Sequence, residues 1–185
     1  MTSPSRRLLL DEQAFDKALH SMAAGILEQT SERRSDLVLV GIQRRGVELA
    51  ARLALLTAKP GGGDVPRGAL DITLYRDDLE VVGPRPVVGP TSLPCDIEGR
   101  QVWIVDDVLY TGRTIRAALD ELADFGRPAR IGLAVLVDRG GRELPIQADV
   151  VGTRAAVQRG ERVDVLVQEL DGRDAVEIVA GGKPA

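Results

Sequence analysis

The sequence predicts an α/β fold with a parallel sheet and helices on both faces. Three observations predict it. Short, β-branched apolar runs alternate along the chain with longer segments of helical period. These runs lack polar alternation, as strands do when helices cover both faces. Charged residues gather just after each run, where ligands bind in sheets of this kind. The 185 residues, 44% apolar and 28% charged, suffice for one domain with a real core, so residues 1–185 are read as a single unit.

The elements follow in chain order. Asp11 to about Glu28 reads as a helix, because Phe15, Ala18, Leu19, Met22 and Ile26 recur at spacings of three and four. Asp36 to Ile42, "DLVLVGI", has the length of a buried strand. The next stretch, "RRGVELAARLALLTA", sets Val47, Ala50, Ala51, Ala54 and Leu55 on one helical face. Lys59 to Gly68 is a loop by its Pro and Gly content, and "ALDITLY" reads as a strand ending at Tyr75. Arg76 to Pro94 holds four prolines and two glycines with no period, which predicts a long flexible flap loop over residues 76–94. "QVWIVDD" is a strand, and "RTIRAALDELADFG" is a helix with Gly126 as its stop. "RIGLAVLVD" and, near the end, "RVDVLVQEL" are strands.

Bulk properties exclude several functions. A net charge of −4 argues against general polyanion binding, though a local basic face is still compatible with it. One cysteine, Cys95, forbids an internal disulfide and suits a reducing cytoplasm. No apolar stretch nears the roughly 18 residues of a membrane span, and Asp11 and Glu12 cut short the apolar run after "SRR". The expectation is a cytoplasmic protein with no membrane partner.

The chemistry concentrates in "VWIVDDVLYTGRT", Val102 to Thr114. Thr111, Gly112, Arg113 and Thr114 sit where a helix begins, and a helix start offers unpaired N–H groups and a positive dipole end. Gly112 permits close backbone approach and the threonines add hydroxyls, which together make a phosphate cradle. Asp106 and Asp107 would repel that phosphate. They suit a ligand that also carries hydroxyls or a divalent cation, as a ribose 5-phosphate does. Helix capping alone would need one such residue and not the whole group. A Walker loop fails, because Gly41 and Gly46 have the spacing but Val47 replaces the required Lys. A phosphoacceptor receiver domain would carry its acids near its start, without the Thr-Gly-x-Thr.

"VWIVDDVLYTGRT" resembles the 5-phosphoribosyl 1-diphosphate (PRPP) signature of type I phosphoribosyltransferases. "LDITLYRDDL" and "LDELADFGRPARIGLAVLVDRGGRELPIQAD" are similar to the PyrR family, pyrimidine operon attenuators that are also uracil phosphoribosyltransferases. The resemblance runs from about Leu10 to Asp149, with a weaker tail to Ile178. It implies the type I phosphoribosyltransferase fold, and a reaction in which uracil displaces pyrophosphate from PRPP to give UMP, with Mg²⁺ carried by PRPP and no protein ligand assigned to it. By resemblance, Asp106 and Asp107 hold the ribose hydroxyls and Val108, Leu109, Tyr110, Thr111, Gly112, Arg113 and Thr114 wrap the 5′-phosphate. Arg44, Arg45 and Gly46 form the pyrophosphate loop, with Arg45 and the two acids as the catalytic set. Arg44 departs from the family's usual Thr, a change that would leave pyrophosphate binding intact and would slow product release. Arg76 or Arg85 on the flap would clamp pyrophosphate, and Asp138-Arg139 and Val163 would touch the base or nucleotide.

The family also binds pyr leader RNA as a dimer or higher homo-oligomer. There the sequence departs from it. The family's Thr-Arg-x-x-His on the first helix is His20-Ser21-Met22-Ala23-Ala24 here, and "VGKN" followed by "PTS" is "VGTR" followed by "AVQ". Arg142 and Arg154 are the RNA-binding candidates, with Arg127, Arg130, Arg159 and Arg162 as added charge. The alternatives are catalysis with RNA binding lost, a regulator with a degenerate site, and a purine-type phosphoribosyltransferase. His20 reads as a surface or interface residue, Trp103 as core, Cys95 as without chemistry, and Asp77-Asp78 equally as a Mg²⁺ contact or a solvated turn.

Overall fold

A computed structural model describes residues 5–58, 64–72 and 90–180. Among them, strands β2 (Leu37–Ile42), β3 (Arg67–Leu70), β4 (Gln101–Leu109), β5 (Arg130–Asp138) and β6 (Val150–Arg154) form a five-stranded sheet in the order β3-β2-β4-β5-β6. Every pairing in it is parallel. A second sheet, antiparallel and in the order β1-β8-β7, joins β1 (Arg6–Leu10), β7 (Glu161–Leu166) and β8 (Ala175–Ala180).

Helices cover both faces of the parallel sheet, and its side chains divide accordingly. Leu37, Leu39, Trp103, Val105, Ala134 and Leu136 pack with α1 (Glu12–Gln29) and α2 (Arg45–Thr57). Their strand neighbours Val38, Val40, Val102, Ile104, Leu133 and Val135 pack with α3 (Arg113–Ala123). Successive strand side chains point to opposite faces, so a strand buried on both sides needs apolar residues throughout. Val165, Val176 and Ile178 of the second sheet, with Val167 just after β7, join the α1–α2 core. Trp103 is fully buried, as its apolar bulk predicts.

Local signals set most boundaries. Asp11 caps α1, its carboxylate accepting from the Ala14 N–H at 2.9 Å. Several boundaries differ from the sequence expectation, among them that of the last expected strand, "RVDVLVQEL", which ends at Leu166 and gives way to a helical turn over Gln168–Asp171. The strand expected to end at Tyr75 stops at Leu70, with Asp71 and Ile72 beyond it. β4 runs past the acid pair to Leu109, because β5 pairs with it as far as Asp138. Helix α3 ends at Ala123, three residues before Gly126, which has φ +144°. Of the flap expected at 76–94, only 90–94 are described: Ser92 bridges to Ala69, and Thr91 Oγ1 accepts from the Asp71 N–H at 2.9 Å. Arg76, Arg85 and Asp77-Asp78 lie outside the described residues. Among the described residues no helix is long and apolar enough to cross a membrane.

Candidate active site

The site begins where β4 outlasts its neighbour. β2 pairs with it up to Gly41 opposite Val105, then the chain turns into α2. Asp106 and Asp107 fall just beyond that point. Asp106 Oδ1 accepts from the Asp107 N–H at 2.9 Å, and Asp107 Oδ1 from the Val108 N–H at 2.8 Å. Asp106 is 6% exposed. Burial pushes its carboxyl well above the ordinary range and the charge of Asp107 adds to this. Burial also raises Asp107, against the guanidinium of Arg45, which pulls it down.

The turn after β4 leads into α3. Gly112 has φ +93°, a conformation that favours glycine, and a Cβ there would lie 3.3 Å from the side chains of Leu144 and Ile146, a tight approach. The N-cap residue of α3 is Gly112, and Thr111 Oγ1 accepts from the Arg113 N–H at 3.3 Å; the start of the helix, with its positive dipole end, suits an anion. Arg142 braces the turn from behind. Its guanidinium donates to the carbonyls of Ile146 and Tyr110, both at 2.9 Å, and pairs with Asp138 at 2.7 Å. Burial raises Asp138, and the hydrogen bond from Arg142 overcomes it, leaving the carboxyl below its ordinary range.

The third wall is the β2–α2 turn. A Cβ on Gly46 would sit 2.5 Å from the Val105 carbonyl, and one on Gly41 would sit 2.3 Å from that of Gly46. The glycine spacing that superficially matches a phosphate loop thus serves backbone contact, seating the turn against β4 beside the acids.

One cavity of about 440 Å³ gathers these parts. Of the expected residues, Arg44, Arg45, Asp106, Asp107, Val108, Leu109, Tyr110, Thr111, Gly112, Thr114, Arg139 and Val163 line it. Gly46 lies beneath the wall, and Arg113 turns away to pair with Glu143 at 2.9 Å. Arg154 is exposed on the end of β6, outside the cavity wall. Sequence reasoning missed Asp71, Ile72 and Arg162, which also line the cavity. Ending the third strand at Leu70 would have exposed Asp71 as a strand-end residue. Arg162 carried no local signal beyond its charge; it pairs with Asp164 at 2.7 Å. Among the described residues no group of three or more His, Cys, Asp or Glu is placed to hold a metal ion.

The parallel sheet brings the acid pair, the start of α3 and the arginine turn around one cavity, and the family model described as "Phosphoribosyl transferase domain" matches residues 6–166. "Bifunctional protein PyrR" of Roseiflexus sp. (strain RS-1) is 55% identical over 92% of this chain and 93% of its own length. The protein of the same name from Chloroflexus aurantiacus is 53% identical over 96% of this chain and 97% of its own. The chain belongs to the PyrR family of phosphoribosyltransferases. A 1.4 Å crystal structure of the hypoxanthine phosphoribosyltransferase of Trypanosoma cruzi superposes with a TM-score of 0.67 over 95% of this chain and 97% of that one; at 18% identity the likeness is one of fold.

Proposed function

We propose that this chain transfers the 5-phosphoribosyl group of PRPP to uracil, forming UMP and pyrophosphate, and that it regulates pyrimidine genes by binding pyr leader RNA. The observation that carries the reading is one cavity bounded by the acid pair Asp106-Asp107, the start of α3 and Arg44-Arg45. The 5′-phosphate is read at Thr111 to Thr114, the ribose hydroxyls on Asp106 and Asp107, and pyrophosphate at Arg44 and Arg45. The base lies toward Arg139 and Val163. Arg45 gives its charge to the departing pyrophosphate, while the acids face a sugar on which positive charge grows. Mg²⁺ enters as part of the PRPP substrate, neutralising its pyrophosphate. Residues 1–185 are read as one domain, since both sheets feed a shared core, working in the cytoplasm as a homodimer or higher homo-oligomer.

The test is pyrophosphate release from PRPP with uracil, hypoxanthine or orotate as acceptor. Uracil alone is expected to support turnover, and Asp107→Asn to lower it about 10²-fold, the scale of a lost preorganised electrostatic contact. Hypoxanthine turnover at the uracil rate would favour a purine-type enzyme, and unchanged turnover in the variant would remove the acid pair from the mechanism. A second reading, catalysis without RNA binding, is favoured by Arg142, whose guanidinium is already taken by carbonyls and Asp138.

A further inference from the structure

Between β7 and β8 the chain makes a short helix, α4 (Gln168–Asp171), which brings three carboxylates against α2. Arg52 of α2 binds two of them in a fork. Its guanidinium donates to Glu169 at 2.8 and 2.7 Å and to Asp174 at 2.7 and 2.9 Å. Asp174 also accepts from the Gln168 N–H at 2.8 Å, which fixes the start of α4. The third carboxylate, Asp171, takes Arg45. Nη2 of Arg45 donates to Oδ1 at 3.0 Å and Nε to Oδ2 at 3.3 Å, so one edge of the guanidinium is occupied. Asp171 is itself held, because Oδ2 accepts from the Val167 N–H at 2.9 Å. Burial raises its carboxyl, but the Val167 N–H and Arg45 overcome that and keep it ionised.

Arg45 therefore stands between two acids of different kinds. Inside the cavity its charge acts on Asp107. Outside, Asp171 holds its Nε edge. Among the described residues, Nη1 has no hydrogen bond, on a side chain that lines the cavity.

We propose that Asp171 is a positioning residue for the pyrophosphate end of the site: by taking one edge of the Arg45 guanidinium, it holds the other edge toward the cavity for a phosphate oxygen. The proposal rests on the placing of pyrophosphate at Arg44 and Arg45. An arginine on an open wall samples many rotamers, and fixing one before the substrate arrives removes an ordering loss from binding. Glu169 and Asp174 act one step further back, keeping α4 where Asp171 can reach. The second sheet thereby takes part in the pyrophosphate wall, although its strands contribute no residue to the β2–α2 turn.

The experiment is calorimetric titration of the full-length protein with magnesium pyrophosphate, for the unaltered chain, Asp171→Asn, Arg45→Ala and the double variant. Asp171→Asn is expected to raise the Kd about tenfold, the scale of one charge-assisted hydrogen bond, and to raise the KM for PRPP while leaving that for uracil unchanged. In the Arg45→Ala background the same change should add less than about twofold, because the two residues act through one contact. An unchanged or tighter Kd in Asp171→Asn overturns the proposal, as does an equal rise in both backgrounds, which would mark a merely structural role. If the Asn variant does not fold, Asp171→Ser, which keeps an acceptor for the Val167 N–H, takes its place with the same expectations. Uracil-dependent turnover by the unaltered chain is read separately: its absence fails the enzymatic reading, while the pyrophosphate titration still decides the role of Asp171.

Discussion

Asp106 and Asp107 place two carboxyls next to each other in a buried wall, and their ionisation works against the fold. Burial raises both above the ordinary carboxylate range; the charge of Asp107 adds to the rise at Asp106, and Arg45 offsets part of it at Asp107. An acid with a raised native value binds its proton more tightly when folded. Between the ordinary value and the raised one the folded state carries more protons than the unfolded chain, so stability falls as pH rises through that window. Above it the loss is complete. Asp106→Asn, which keeps an acceptor for the Asp107 N–H, is therefore expected to raise Tm at neutral pH, by about 2–4 °C for each kcal/mol released, and to depress uracil turnover. Below the ordinary carboxylate range the difference should vanish. Thermal melts of both proteins across pH check this, and a variant that melts lower at neutral pH would refute it. The acids and the turn after them were legible because this chemistry sits in one unbroken stretch. Arg142 was not: its bracing role depends on carbonyls of Tyr110 and Ile146, and nothing local in the sequence says they converge on it.

At the level of elements, the β2–α2 turn shows how packing sets a site. Gly41 and Gly46 meet backbone to backbone, and Gly46 meets β4 at Val105. A methyl at Gly41 would sit 2.3 Å from a carbonyl oxygen that cannot swing aside. Gly41→Ala is expected to cost about 1–3 kcal/mol, the scale of overpacking, and to weaken PRPP binding by moving Arg44 and Arg45 off the wall. Denaturant unfolding and the KM for PRPP report the two effects, and a variant with unaltered midpoint and KM would show that the turn has slack. Helices α1 and α2 and the strands β2, β4 and β5 were legible, because each carries its own period or apolar run. The strands β1, β6 and β8 were not singled out. Among the described residues short β1 pairs with β8, across nearly the whole chain, as in Arg6 opposite Val179, and such pairing leaves no local signal. The end of β4 at Leu109 has the same cause, since its last residues are held by β5.

For the molecule as a whole, the open matter is the second activity, and the fold gives it an address. Helix α1 lies close on β6: a Cβ on Gly25 would be 3.1 Å from Val150, and one on Gly152 would be 3.1 Å from Met22 Sδ. The two stretches that depart from the family pattern, His20 to Ala24 and Val151 to Arg154, are therefore neighbours on one side of the molecule. On α1, Met22 and Ala23 are buried while His20, Ser21 and Ala24 are exposed, so the altered positions are those that face outward. His20 already pairs with Asp16 at 3.4 Å, which sets a carboxylate on that face. Phosphate contacts tolerate substitution by other cations, whereas base contacts do not, and exposed Arg154 and Arg159 can replace charge but not a specific reading of bases. With a net charge of −4, any RNA affinity must come from such a local patch. The expected result of a gel shift with the pyrimidine-operon leader RNA of the same genome is a complex that UMP strengthens and salt weakens. Arg154→Ala should weaken it without relaxing its sequence preference and reduce the salt slope by about one. Failure of the protein to shift the RNA while it turns over uracil would mean that catalysis persists without the regulatory role, and would place the cause on the His20–Ala24 face.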